Sequence, residues 1–309
     1  MMTPAVACEL SDGAKVLRAQ INEAIGLPVF HDETVEADML HRLCNDRFCL
    51  LHSAETKTPV FVVERLDAVL VTGTNTRPKV KFVPENDATE DDEGLPAGTA
   101  RAVDDDYRNS GYARGHMAPS NDSKCSKKLM KNTFVLSNAV PQIQNGFNGS
   151  YWRYLEDRVH KLAAKSSAEL FVITGPVAAT AEGIEIKIGE NMCGKSIKLP
   201  SASELAKHEI CDANDDDATK ACEAGVAVPA GLFKVIYTAD TGRAFAFLMP
   251  NINHSPLKRA SGLPTNAYLD EWRVSLDILE ELTDLEFFPD LTLREQKVVK
   301  ENCVATRWR

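Results

Sequence analysis

One stretch constrains the fold of this chain more than any other. Between Tyr107 and Lys165 the sequence reads as a strand, an irregular loop, a second strand and a helix. The first piece, Gly111-Tyr-Ala-Arg-Gly-His-Met-Ala-Pro119, carries His116 and ends in proline. Phe134-Val-Leu136 is a short apolar run of strand character. Trp152, Leu155, Val159 and Leu162 then fall at i, i+3, i+7 and i+10, one face of a helix. A chain that lays down two strands and a helix in this order is committed to an α+β arrangement.

The flanks fit the same class. Val16, Leu17, Ile21 and Ile25 repeat at helical spacing after Ser11, a candidate N-cap, and predict a helix over 11–25. Phe48–His52 and Val60–Val63, separated by Glu55-Thr-Lys-Thr58, predict a hairpin at a sheet edge. Val69–Val71 reads as a further strand and Thr72–Pro78 as a turn-rich loop carrying Arg77. Leu170–Ile173 reads as a buried strand ended by Thr-Gly-Pro176. Gly231–Thr238 and Arg243–Met249 read as a hairpin, and Leu276–Leu282 as a helix. No internal repeat is visible. The division expected is an N-terminal helical extension over 1–40 and one domain over 41–309, built as a central antiparallel sheet flanked by helices.

Charge narrows the partners. The chain is 44% hydrophobic with a net charge of −10. From Tyr107 to Lys165, however, ten Lys and Arg stand against three acids. A basic island in an acidic protein focuses a polyanion onto one face. No apolar run reaches membrane-spanning length, so no membrane partner is expected. The eight cysteines contain no Cys-x-x-Cys pair, which excludes that structural-zinc pattern. Cys44 with Cys49, and Cys211 with Cys222, are spaced to close loops by disulfides. Disulfides imply a secreted or periplasmic protein, its signal peptide already removed.

The central block also carries chemistry. Hydrolysis of a phosphodiester needs a base for water, a cation for developing charge and help for the leaving oxygen. His116 is a base suited to neutral pH. Asn148 offers a neutral oxygen to a hard divalent ion, and Glu156 lies eight residues on. If both sit on one helix, they are about 80° and about 12 Å apart, so Glu156 reaches the ion through water. Arg77 and Arg114 are suited to phosphate oxygens. Each residue alone has an ordinary structural explanation, a helix cap for Asn148 or a solvated acid for Glu156. The set, in this order and spacing, does not.

Arg114-Gly-His-Met-Ala-Pro119, Leu136-Ser-Asn-Ala-Val-Pro-Gln142 and Asn148-Gly-Ser-Tyr-Trp-Arg-Tyr-Leu-Glu156 together resemble the DNA/RNA non-specific endonucleases. This is the ββα-metal group that includes Serratia-type secreted nucleases and mitochondrial endonuclease G. The resemblance covers roughly residues 45–290 and implies the ββα-metal fold. It implies Mg2+-dependent cleavage of single- and double-stranded DNA and RNA to 5′-phosphate products, with Mn2+ as a substitute ion. By motif, His116 is the general base, Asn148 the metal ligand, and Glu156 the holder of a metal-bound water. Asn138 supports the site. Arg114 and Arg77 bind phosphate, joined as substrate-binding candidates by Arg153 and His160. A homodimer and an inhibitor protein are the protein partners it admits.

Two positions depart from the family pattern. Ala113 replaces the aspartate that usually precedes Arg-Gly-His, which predicts altered support or metal affinity. His160 stands where some members carry arginine. The rival reading is a non-catalytic nucleic-acid or polyanion-binding protein on the same fold. A third is a phosphodiesterase for small substrates. No Gly-x-Ser-x-Gly elbow supports a serine hydrolase.

Overall fold

The computed structural model describes residues 8, 13–31, 37–87, 94–187, 195–206, 225–292 and 295. Helix α1 (Gly13–Ala24) and a short strand β1 (Val29–Phe30) come first. Strands β2 (Leu40–Cys44), β3 (Cys49–Ser53) and β4 (Thr58–Leu66) follow, then helices α2 (Ala68–Val71) and α3 (Asp104–Tyr107). The central block is β5 (Tyr112–His116), α4 (Lys127–Asn132), β6 (Ala139–Ile143) and α5 (Tyr151–Lys165). Beyond it lie β7 (Leu170–Val177), β8 (Ile184–Ile186), β9 (Ile197–Leu199) and α6 (Ala202–Ala206). Then come β10 (Gly231–Thr238), β11 (Arg243–Pro250), α7 (Ser255–Ser261) and α8 (Thr265–Asp270). The last described elements are β12 (Arg273–Val274), α9 (Leu276–Thr283) and β13 (Leu285–Glu286).

The main sheet runs β12-β11-β10-β7-β4-β3-β2, antiparallel throughout. Both of its faces are covered. Successive strand residues point to opposite faces, and on β10 Phe233 meets Phe287 at 5.6 Å while the Lys234 ammonium lies 5.3 Å from the Trp152 ring. Helix α5 therefore covers one face and the segment after α9 the other. Trp152, Leu155 and Val159 of α5 are buried, as their spacing predicts. Full burial of side chains of this size contributes roughly 1.5–3 kcal/mol each.

The β5–β6 ribbon is a separate two-stranded sheet, with His116 opposite Ala139 and Arg114 opposite Pro141. Asn251, fully buried at the end of β11, fastens it to the main sheet. Its Oδ1 accepts from Ile143 N at 2.9 Å, and its Nδ2 donates to Pro141 O at 3.0 Å and Pro229 O at 3.1 Å.

The α+β expectation and the strand–strand–helix order of the centre hold, and four local expectations change. Val69–Val71 belongs to helix α2, because the Asp67 side chain caps it by accepting from Leu70 N at 2.8 Å. The second strand of the ribbon is 139–143 rather than 134–136. Pro141 is tolerated there because β6 pairs with one neighbour only. The hairpin of β3 and β4 lies inside the sheet, with β2 at the edge. Strand β7 continues through Pro176 to Val177, past the end of its pairing with β4 at Thr174.

Helix α1 buries Leu17 and Ile21 in the same core as the sheet, with Val16 exposed. Cys44 and Cys49 form the expected disulfide, and a second joins Cys8 to Cys125. Ser11, Cys211 and Cys222 lie outside the described residues.

Asn251→Ala strands two buried carbonyls, of Pro141 and Pro229, each costing about 1–3 kcal/mol, and frees the half-buried Ile143 N. Denaturant unfolding is expected to show a loss of about 2–6 kcal/mol, against about 1 kcal/mol for Asp67→Ala at the α2 cap.

Candidate active site

His116 ends β5, and the turn beyond it is locked by Asn138. Asn138 Oδ1 accepts from Ala118 N at 2.9 Å, and its Nδ2 donates to Ala118 O at 3.0 Å and Thr133 O at 2.9 Å. Its backbone carbonyl accepts from Met117 N at 2.9 Å. The imidazole packs against Phe82 at 4.6 Å and meets Phe134 edge-on at 4.8 Å. It is 7% exposed, and its Nε2 has no protein partner. Burial, reinforced by the nearby Arg77 guanidinium, pushes its pKa down to about 3, so the ring is neutral at physiological pH.

His116 opens onto a cleft of about 560 Å3 whose walls include Arg77, Asn148, Arg153 and Glu156. The structure thus gathers five of the expected site residues. Asn148 closes a tight turn over Gln144–Asn148, before α5 rather than on it. Gly146 in that turn has φ 77°, and a Cβ there would lie 1.8 Å from Asn253 Oδ1. The Asn148 Nδ2 donates to Gln144 Oε1 at 2.9 Å, which fixes the carboxamide. Glu156 projects from α5, half-buried. Burial above all, with Asp122 and Asp157 adding to it, raises its pKa to about 8, against the pull of Lys234 and Arg77.

Lys234 lies on the main sheet beneath α5. It is buried on β10 opposite Thr174, whose Oγ1 accepts from Nζ at 2.5 Å. Glu64 sits on the same sheet face of β4, 3.3 Å from Arg47, and burial raises its pKa as well.

Two expected substrate-binding residues, Arg114 and His160, lie outside the cleft lining. Arg114 is held by Asp104, with Nη2 2.7 Å from Oδ1 and 2.8 Å from the backbone oxygen, and stacks 5.2 Å from Tyr107. It lies outside the cleft lining, although two residues from His116 on the same strand face. His160 turns its Nδ1 to the buried Asp122 at 2.8 Å instead of facing the cleft. Asn138 acts from behind, through the backbone around His116. Ala113 is the cross-strand neighbour of Gln142, whose buried amide has no partner. The missing family carboxylate and the unpaired amide therefore share one face of the ribbon.

Sequence reasoning missed Asp122, Phe82 and Gln144. Only Gln144 had a local signal, its four-residue spacing from Asn148. No cluster of three His, Cys, Asp or Glu side chains suited to a metal occurs among the described residues. Asn148 and Glu156 offer the cleft a neutral carboxamide and a carboxylate, a pair that suits a hard cation keeping most of its waters.

The model of the DNA/RNA non-specific endonuclease family matches residues 30–293. The chain belongs to that family. It is 31% identical to mitochondrial nuclease EXOG of Xenopus laevis over 251 residues, 78% of this chain and 56% of that protein. Against human mitochondrial nuclease EXOG it is 29% identical, over 80% of this chain and 57% of that one. Mitochondrial nuclease 1 of Schizosaccharomyces pombe is 29% identical, over 62% of this chain and 51% of its own length. The chain spans little more than half the length of these curated relatives. A chain of the crystal structure of the EndoG/EndoGI complex superposes with a TM-score of 0.60 at 25% identity, covering 91% of this chain and 94% of that one. The fold is the ββα-metal nuclease fold, as expected.

The compartment expected from the sequence is corrected by these relatives. Named mitochondrial nucleases, the frog, human and yeast proteins among them, point away from a secreted or periplasmic location. The export argument rested on cysteine number, and two disulfides among the described residues do not outweigh the relatives.

The electrostatics of His116 are directly measurable. Its NMR resonances in metal-free protein are expected not to titrate from about pH 8 down to about pH 5, where an ordinary histidine would. The folded pKa lies below the unfolded value of 6.5, so the unfolded chain binds the proton first. His116 thus makes stability fall as pH drops from about 6.5 towards 3, and His116→Gln is expected to flatten that part of the pH–stability curve.

Proposed function

We propose that this chain is an endonuclease that hydrolyses phosphodiester bonds of DNA and RNA, single- and double-stranded, leaving 5′-phosphates. The observation that carries the reading is the convergence of a buried neutral histidine, Asn148, Glu156 and Arg77 on one cleft.

His116, on the cleft lining, takes a proton from the attacking water. Held neutral by burial, the ring accepts that proton without first losing one. Arg77 binds a non-bridging phosphate oxygen, with Arg153 also on the cleft lining. Arg114, fixed by Asp104, serves the flanking phosphate. Asn138 keeps the strand end in register. Asn148 directly, and Glu156 through water, would hold Mg2+ or Mn2+, which supplies positive charge to the phosphate oxygens when bound. Glu156 serves in its ionised form, which Lys234 and Arg77 favour. His160 acts indirectly, by holding Asp122.

The nuclease domain is taken as 41–309, with 1–40 as its N-terminal extension. The named relatives support a mitochondrial role. The superposed chain was solved in the EndoG/EndoGI complex, described as revealing EndoG inhibition, so a protein inhibitor is part of the proposal.

Purified protein with plasmid DNA and with RNA tests the reading. Degradation of both with Mg2+, abolished by EDTA and by His116→Ala, is the expected result. The substitution should cost at least about 100-fold in rate, as for loss of a positioned base. Intact nucleic acid in every lane, with a gel shift, would replace the nuclease by the binding-protein reading.

A further inference from the structure

Two segments next to the cleft carry seven cations and no acid, in a chain with a net charge of −10. The first, residues 72–83, holds Arg77, Lys79 and Lys81. The second, residues 124–134, holds Lys124, Lys127, Lys128 and Lys131. They are packed together. Asn75 Nδ2 donates to Lys124 O at 2.9 Å and Cys125 O at 3.2 Å, and Arg77 lies 5.0 Å over the Phe134 ring. Val83 N donates to Phe134 O at 3.0 Å, and Leu136 N to Val83 O at 2.8 Å. Phe82 is anchored on the His116 ring itself.

Arg77 and Lys124 line the cleft, while Lys79, Lys81, Lys127, Lys128 and Lys131 are exposed beyond it. Lys128 lies 3.7 Å from Asp46. The other six have no ion-pair partner among the described residues. Six unpaired cations held side by side repel one another and gain most from a polyanion laid across them.

We infer that these segments form a one-sided track for the phosphate backbone of a nucleic acid, running out of the cleft over Lys79, Lys81, Lys127 and Lys131. The inference rests on the endonuclease reading for its substrate but not for its test. From Arg77 to Lys81 the backbone reaches at most about 14 Å. That is about four nucleotide steps at 3.4 Å per strand. The track therefore adds little for a dinucleotide and much for a longer strand, and it reads backbone rather than bases.

Fluorescence anisotropy with a labelled 30-base-pair duplex, in EDTA, tests it without turnover. The parental protein carries His116→Ala. The comparison proteins add Lys79→Gln with Lys81→Gln, Lys127→Gln with Lys131→Gln, or all four. Lys165→Gln with Lys187→Gln, outside both segments, is the control. Thermal melts check folding, and each pair stands alone if the quadruple variant fails to fold.

The slope of log K against log salt is expected to fall by about 0.9 for each phosphate that the variant no longer neutralises. Affinity near physiological salt should drop at least about tenfold in the quadruple variant. Parental slope and affinity in both pairs, or an equal loss in the control, would overturn the track. So would retained DNA affinity with lost binding of poly-glutamate, which would make the surface a site for an acidic protein. A parental protein that binds along the track, while the His116-containing chain degrades neither DNA nor RNA with Mg2+, would keep the track and remove the nuclease reading.

Discussion

Everything at the site depends on the four hydrogen bonds by which Asn138 closes the end of the β5–β6 ribbon. The residue is wholly buried, so none of these bonds is traded for water. They fix Met117 and Ala118, and hence the direction in which His116 leaves its strand. Phe82 and Phe134 then fill the space around the ring, and Phe82 brings the loop bearing Arg77 with it. A ribbon with one pairing edge has little stability of its own. Its anchorage through Asn251 is what transmits the rigidity of the main sheet to His116.

Burial then acts on the two titratable groups of the cleft in opposite directions. It pushes the His116 pKa down to about 3 and the Glu156 pKa up to about 8, because both charged forms lose solvation. For the histidine, neutrality is the working state of a base. For the glutamate it is not, and the sheet beneath α5 supplies part of the remedy. Lys234 is buried beneath α5, where an ammonium is costly unless it has partners. Thr174 satisfies it by a hydrogen bond, and the carboxylates above it by charge. The main sheet is thus more than a platform, since one of its inward residues pulls the Glu156 pKa down against the larger effect of burial.

The parts of this arrangement legible in the sequence were those with a local period or spacing. The α5 face followed from Trp152, Leu155 and Val159, and the strand–strand–helix order from the motifs around His116 and Asn148. Errors came where a side chain overrode propensity. Val69–Val71 has strand composition, yet a single Asp67 cap makes it helical. The strand at 139–143 contains Pro141, which a ribbon strand tolerates because it has only one edge to pair. The rest was invisible because it joins residues far apart in the chain. Nothing in the vicinity of Arg114 shows that Asp104 will take its guanidinium, nor near His160 that it will close on Asp122, 38 residues away.

Both signs of charge line the cleft. The loop after α2 and the segment leading into α4 contribute Arg77 and Lys124, while α5 and the turn before α4 contribute Glu156, Asp157 and Asp122. Arg153 lies 3.8 Å from Asp157 on the exposed side of α5. Outside the cleft the signs separate along the chain, because residues 72–83 and 124–134 carry cations and no acid. An acid-free stretch of surface gives a polyanion a path to follow. The seven cations and three acids are too few to reverse the net charge of −10, so bulk composition hides the feature. What matters is that the acid-free segments are adjacent in space, and that adjacency is set by Asn75 and by the bridge between Val83 and Val135.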